Sequence, residues 1–322
     1  MTSLPDCNKN TAISSKDGWD FYREGLALGR QGRHEEALQF FFQSLAADPT
    51  LALAWVGQGF TLGKLGRFKE EIECCNKAIE LDPYCTDAWN YKGFAFGKLG
   101  KFEEKVNCCR RALEINPENA VAWNNMGVAV GMLRKYEEEI RYCERAIALR
   151  PRYLSAWVNK GYAFGKLKRY EEECACYDRA LKIYPYYLSA LVYRSVALIN
   201  LKRYREAIES LDQVLSIDPV NAKTLYRKGL ALAMLRRHEE AIPVLEKALT
   251  TNPTIADAWV VLSNSNFSLG NLEASASAFD RAYYIDIHDV RVGFVRGLSL
   301  LKEGKRDDGL RCFSDVLGIL LR

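Results

Sequence analysis

The sequence predicts an all-α solenoid of stacked helix–turn–helix repeats, and three observations carry that prediction. Seven of the nine prolines fall at Pro49, Pro83, Pro117, Pro151, Pro185, Pro219 and Pro253, each 34 residues after the last. Aromatic and small residues recur in phase with them, and glycines punctuate the interval. A fixed period of this length marks stacked repeats, each too small to bury its own apolar face. The 322 residues therefore read as one continuous core rather than as two or so ordinary domains.

Counting from Gly18 with proline at position 32, repeats begin near 18, 52, 86, 120, 154, 188, 222, 256 and 290, after a polar leader over 1–17 expected to be flexible. Position 4 carries Phe21, Trp55, Trp89, Trp123, Trp157 and Trp259, and position 8 carries Gly25, Gly59, Gly93, Gly127, Gly161 and Gly229. With position 11 these follow the i, i+4, i+7 stripe of a first helix. Glycine at position 15 (Gly32, Gly66, Gly100, Gly270, Gly304) closes that helix, because glycine enters a left-handed turn cheaply. A second helix then opens on acids such as Glu70, Glu71, Glu137 and Glu138, which suit a helix N-terminus. Small residues at position 27, among them Ala78, Ala112 and Ala146, let helix axes approach. The helix ends before the proline, since a residue preceding proline disfavours helical angles.

These residues (Trp at 4, Gly at 8, an aromatic at 17, Ala at 20 and 27, Pro at 32) resemble the tetratricopeptide repeat pattern over nearly the whole chain. The resemblance implies a right-handed superhelical solenoid of about nine repeats. First helices would line a concave groove and second helices the convex back. It also implies a scaffold or adaptor that holds a peptide or helical segment of a partner protein.

Composition narrows the alternatives. A hydrophobic share of 48% supports a packed core, and a net charge of +4 is too small to argue for nucleic acid. No apolar run reaches the roughly 18 residues of a membrane helix, and the leader lacks a signal peptide's apolar stretch. A cytoplasmic protein with reduced thiols is the expectation. His34, His238 and His288 stand in different repeats, so neither a histidine metal site nor a histidine-based nucleophile pair is expected. The run from Gly59 to Lys64 superficially resembles a phosphate loop but is one residue short and lies inside a helical stripe. No enzymatic activity, cofactor or metal is expected.

Repeats two to five depart from the pattern in three ways at once. Position 12 is glycine (Gly63, Gly97, Gly131, Gly165, and Gly29 in repeat one), although glycine inside a helix costs roughly 0.8–1 kcal/mol relative to alanine. Two readings stand for it: a deepened groove, or close approach between neighbouring first helices. Position 20, alanine at Ala37, Ala207 and Ala241, becomes Glu71, Lys105, Glu139 and Glu173. These charges are expected to snorkel to solvent, with an ion-pair ladder through Lys105 as the alternative. Positions 21–24 carry Cys74, Cys75, Cys108, Cys109, Cys143, Cys174 and Cys176. Their spacing suits core packing better than a metal site, while a redox- or metal-responsive sensor is the alternative function.

Positions 2, 5, 6, 9, 12 and 13 form the candidate groove floor. Repeats two to five place Phe60, Gly63, Lys64, Asn90, Tyr91, Phe94, Gly97, Lys98, Asn124, Asn125, Val128, Gly131, Asn159, Tyr162, Gly165 and Lys166 there. Tyr193, Tyr226 and Arg227 continue the row. Aromatic anchors beside amides suit an extended peptide. The family's clamp for C-terminal carboxylates is matched by Lys223 and Arg227, but Val158, Tyr162 and Tyr193 stand where its other residues belong. Chaperone-tail recognition is therefore not expected. A basic row at the turns (Arg33, Arg67, Lys101, Arg134–Lys135, Lys168–Arg169, Lys202–Arg203, Arg236–Arg237) makes nucleic-acid binding a lesser alternative. The apolar end, Phe313, Val316, Leu317, Ile319, Leu320 and Leu321, is expected to fold back on repeat eight, with self-association as the alternative.

Overall fold

The computed structural model describes residues 16–285 and a few positions between 297 and 308. The expectations for most of the leader, the apolar C-terminal end and most of repeat nine lie outside the described residues. Sixteen helices and no strand are present among them.

The helices keep strict phase with the sequence. First helices α3 (Ala52–Lys64), α5 (Thr86–Lys98), α7 (Ala120–Met132), α9 (Leu154–Lys166), α11 (Leu188–Asn200), α13 (Ala222–Met234) and α15 (Ala256–Ser268) each run from position 1 to position 13. Second helices α2 (His34–Ala47), α4 (Phe68–Leu81), α6 (Phe102–Ile115), α8 (Tyr136–Leu149), α10 (Tyr170–Ile183), α12 (Tyr204–Ile217), α14 (His238–Thr251) and α16 (Leu272–Ile285) run from position 17 to position 30. Only α1 (Lys16–Arg30) begins early, two residues before the expected boundary. No helix among the described residues is long and apolar enough to cross a membrane.

The left-handed turn at position 15 is obligatory. Gly32, Gly66, Gly100, Gly270 and Gly304 have φ between 75° and 84°, and Arg134, Lys168, Lys202 and Arg236 adopt φ of 60–62° at the same position. A side chain there costs roughly 1–2 kcal/mol, which the packing of the two flanking helices outweighs. The other joint pairs the two most conspicuous sequence markers. Indole Nε1 of Trp55, Trp89, Trp123, Trp157 and Trp259 donates to the carbonyl of Pro49, Pro83, Pro117, Pro151 and Pro253 at 2.7–3.2 Å. Each tryptophan thereby ties its helix to the turn that ends the preceding repeat.

The described chain falls into two compact units that divide between Leu167 and Lys168, inside repeat five. In the first, α1 to α9 pack in sequence, and successive first helices also touch, α1 with α3 through to α7 with α9. In the second, α10 to α16 repeat the arrangement, with α11 touching α13 and α13 touching α15. Position 24 carries some of the largest fully buried side chains: Phe41, Tyr177, Leu211, Leu245 and Phe279.

Candidate functional site

Position 24 explains why the three departures occur together in repeats two to four. Cys75, Cys109 and Cys143 replace a large residue there in repeats two to four and are buried. One turn before it in the same helices stands position 20, where Glu71 is 1% exposed and Glu139 3%, while Glu173 of repeat five is 7% exposed beside Tyr177, which keeps a large side chain at position 24. The expectation that these side chains snorkel to solvent is therefore corrected: they are inside, and Lys105 is half-buried.

The glycine at position 12 accommodates the same side chain. A Cβ built on Gly63 would lie 2.5 Å from Glu71 Oε2, one on Gly131 would lie 2.5 Å from Glu139 Cδ, and one on Gly97 would lie 2.9 Å from Lys105 Cδ. Where position 20 is alanine the crowding disappears, since a Cβ on Gly29 meets only Ala37 Cβ at 4.0 Å. Neither sequence reading of these glycines anticipated this. The missing Cβ makes room for the second helix of the same repeat, rather than for a partner or a neighbouring first helix. In repeats two to four, glycine at 12, a long polar side chain at 20 and cysteine at 24 form one volume-conserving exchange.

Burial sets the charge state of that layer. It pushes the Glu71 and Glu139 carboxyls up to about 8, with Lys64 and Lys105 respectively pulling the other way. Glu173 rises to about 7 through burial, opposed by the hydroxyl of Tyr177, which donates to its Oε1 at 3.1 Å. Oε2 of Glu71 and of Glu139 has no hydrogen-bond partner among the described residues. Lys105 forms no ion pair there either, so the ladder alternative is not realised. At neutral pH Glu71 and Glu139 are mostly protonated, which avoids burying a bare charge.

The cysteines follow the same logic. Burial raises Cys108 and Cys174 to about 11 and Cys74 and Cys109 to about 12. Thiols held neutral are poor nucleophiles and poor metal ligands. Among the described residues, no group of three or more His, Cys, Asp or Glu is arranged to hold a metal ion.

The expected groove residues on α3, α5, α7 and α9 lie in the first compact unit, along its row of touching first helices. Phe60 and Tyr91 bring their rings to 5.2 Å across α3 and α5. Asn159 Nδ2 donates to Asn124 Oδ1 at 2.9 Å across α9 and α7. Phe94 and Tyr162 are exposed at 46% and 40%, whereas Asn90 and Asn124 are buried and Asn125 and Val128 half-buried. A lysine one turn on covers each aromatic at position 9: Lys64 Nζ is 5.1 Å from the Phe60 centroid, Lys98 5.3 Å from Phe94, and Lys166 4.9 Å from Tyr162. Tyr193, Tyr226 and Arg227 lie in the second unit. Burial holds the Arg227 guanidinium below its usual range, against the raising influence of Tyr226 and Tyr193.

Five of the eleven cations in the basic row at the turns are compensated. Arg33, Arg67, Arg169, Arg203 and Arg237 each bind the glutamate three residues on, at 2.5–2.6 Å. A phosphate backbone would have to displace those carboxylates.

Sequence inspection missed a second periodic ion pair. Lys160 binds Glu144 at 2.8 Å, Arg194 binds Asp178 at 2.6 Å and Lys228 binds Asp212 at 2.6 Å. Each joins position 7 of one repeat to position 25 of the one before. A base sixteen residues after an acid, recurring every 34, was the available signal.

Paired helices in constant phase, stacked through a shared apolar layer, define a helical-repeat protein. The tetratricopeptide repeat family matches residues 86–119, 108–141, 154–187, 194–254 and 236–289, more than half of the chain. The chain belongs to that family. The protein prenyltransferase alpha subunit repeat also matches, over residues 68–99. No curated relative matches by sequence.

Among solved structures the chain is similar to PilF of Pseudomonas aeruginosa, at 19% identity over 64% of this chain and 94% of that one, with TM-score 0.58. It is similar to the Cut9–Hcn1 hetero-tetramer of APC/C at 15% identity, over 94% of this chain and 73% of that one, with TM-score 0.56. A thermophilic TPR protein of Thermus thermophilus, TTC0263, shares 21% identity over 56% of this chain and 99% of its own, with TM-score 0.51. At these identities the likeness is one of fold.

Proposed function

We propose that the chain is a protein-binding scaffold that holds a segment of a partner along α3, α5, α7 and α9. The observation that carries this reading is the recurrence of an aromatic ring under a lysine at one position of α3, α5 and α9. Phe94 and Tyr162 present apolar area to solvent where the repeat's own core does not use it, and clustered exposed aromatics mark interaction surfaces. The amides of Asn125 and Asn159, half-buried between them, supply donors and acceptors for a partner's backbone. Binding rather than catalysis is the activity this surface suits.

Affinity capture from native lysate, with wild type and with Phe60→Ala/Phe94→Ala/Tyr162→Ala, tests the reading. A partner retained by wild type in high salt and lost with the triple variant supports it. A partner indifferent to the triple variant and released by salt moves the site to the turns and ends the groove assignment.

A further inference from the structure

We infer that the segment held along α3, α5, α7 and α9 is acidic, with its acids in a fixed register. This deepens the scaffold reading and rests on it. At positions 2, 6, 9 and 13 of these four helices stand Lys64, Lys98 and Lys166 against a single acid, Asp87. The three lysines are exposed, and among the described residues none forms an ion pair. That contrasts with the five paired arginines of the turns and with the position 7–25 row, where cations meet internal carboxylates. The ammonium groups of the candidate groove thus face no internal carboxylate: Lys64 and Lys98 stand over the Phe60 and Phe94 rings, and Lys166 stands over the Tyr162 ring and hydrogen-bonds the Tyr162 hydroxyl, leaving its other protons for a ligand.

Register follows from the stacking. The lysines occupy one position in successive repeats, so a line through them crosses the first helices rather than running along one. Packed helices lie about 8–10 Å apart, and an extended or polyproline chain rises about 3.1–3.4 Å per residue, so about three ligand residues span each repeat. The ladder has one gap: α7 carries Met132, exposed, where the others carry lysine. The matching segment places acids against α3, α5 and α9 and an apolar residue against α7. In ligand numbering this is acid, acid, apolar, acid at every third position, read in either chain direction. The residues concerned sit at position 13, so this is not the family's carboxylate clamp.

The test uses the full chain and fluorescein-labelled dodecapeptides. The register probe has Glu at its first, fourth and tenth positions, Leu at its seventh and Ser or Pro elsewhere. Its reversed sequence, a scramble of equal composition and a Glu→Gln version accompany it. Fluorescence anisotropy should show the register probe, forward or reversed, binding about tenfold or more tighter than the scramble and the Gln version. Lys64→Gln/Lys98→Gln/Lys166→Gln should remove that preference while leaving the circular dichroism spectrum unchanged. Equal binding of register and scrambled probes, or no binding of any probe, overturns the proposal. A captured natural partner that is lost with the aromatic triple variant yet indifferent to the lysine triple variant also overturns it, while the scaffold reading survives. A partner indifferent to both variants removes the scaffold reading as well.

Discussion

Gly63 and Glu71 occupy one space: the Cβ that alanine would add at Gly63 would lie 2.5 Å from the Glu71 carboxylate oxygen Oε2. Gly63→Ala is expected to destabilise the chain by about 1–3 kcal/mol, the usual cost of overpacking. Combined with Glu71→Ala, the two changes should cost less than their sum by at least about 1 kcal/mol. Gly29→Ala is the control, because only Ala37 Cβ lies near it, and the better helix former should add up to about 1 kcal/mol. Urea titrations of the four variants measure all of this.

Stability should fall as pH rises from about 5 to 8. Glu71 and Glu139 hold their protons in the folded chain up to about 8, whereas the unfolded chain gives them up near 4.5. In that interval the unfolded state binds fewer protons, so the derivative of unfolding free energy with pH is negative. The contribution is fully present below the unfolded value and is lost once pH passes the folded one. Glu71→Gln/Glu139→Gln should flatten the decline, read as unfolding free energy at several pH values. A slope identical to wild type would contradict the buried, protonated assignment.

The row joining position 7 to position 25 lacks a member at repeat three. Lys92 holds position 7 there, but position 25 of the preceding repeat is Asn76 rather than an acid. Lys92 Nζ lies 5.1 Å from the Trp89 ring, much as Lys160, which does have its acid, lies 5.8 Å from Trp157. Asn76→Asp should therefore stabilise the chain by about 0.2–1 kcal/mol at low salt, the range for exposed pairs, and lose that gain in high salt. Denaturation midpoints at two ionic strengths decide the matter.

Arg134, Lys202 and Arg236 adopt the left-handed angles that glycine adopts elsewhere at position 15. Replacing each by glycine should relieve about 1–2 kcal/mol of backbone strain, offset in part by the greater entropy of an unfolded glycine. The net gain is expected at about 0.5–1 kcal/mol per site by thermal unfolding, without change in helix content.

Phase, helix boundaries and turn positions were legible in the sequence, because each follows from local chemistry. Proline at 32 ends one helix, position 15 demands a left-handed residue, and an i, i+4, i+7 stripe buries one face. The aromatics and lysines of the candidate groove were legible for the same reason, since their positions follow from the helix face on which they fall. The role of Gly63, Gly97 and Gly131, the burial of Glu71 and Glu139 and the pairing of Lys160 with Glu144 were not. Each depends on which atoms of a second helix occupy a given volume or lie within reach of a charge. A periodic pattern names the face a residue occupies. Whether a carboxyl on that face reaches water or fills the notch beside a glycine is decided by the packing of the two helices.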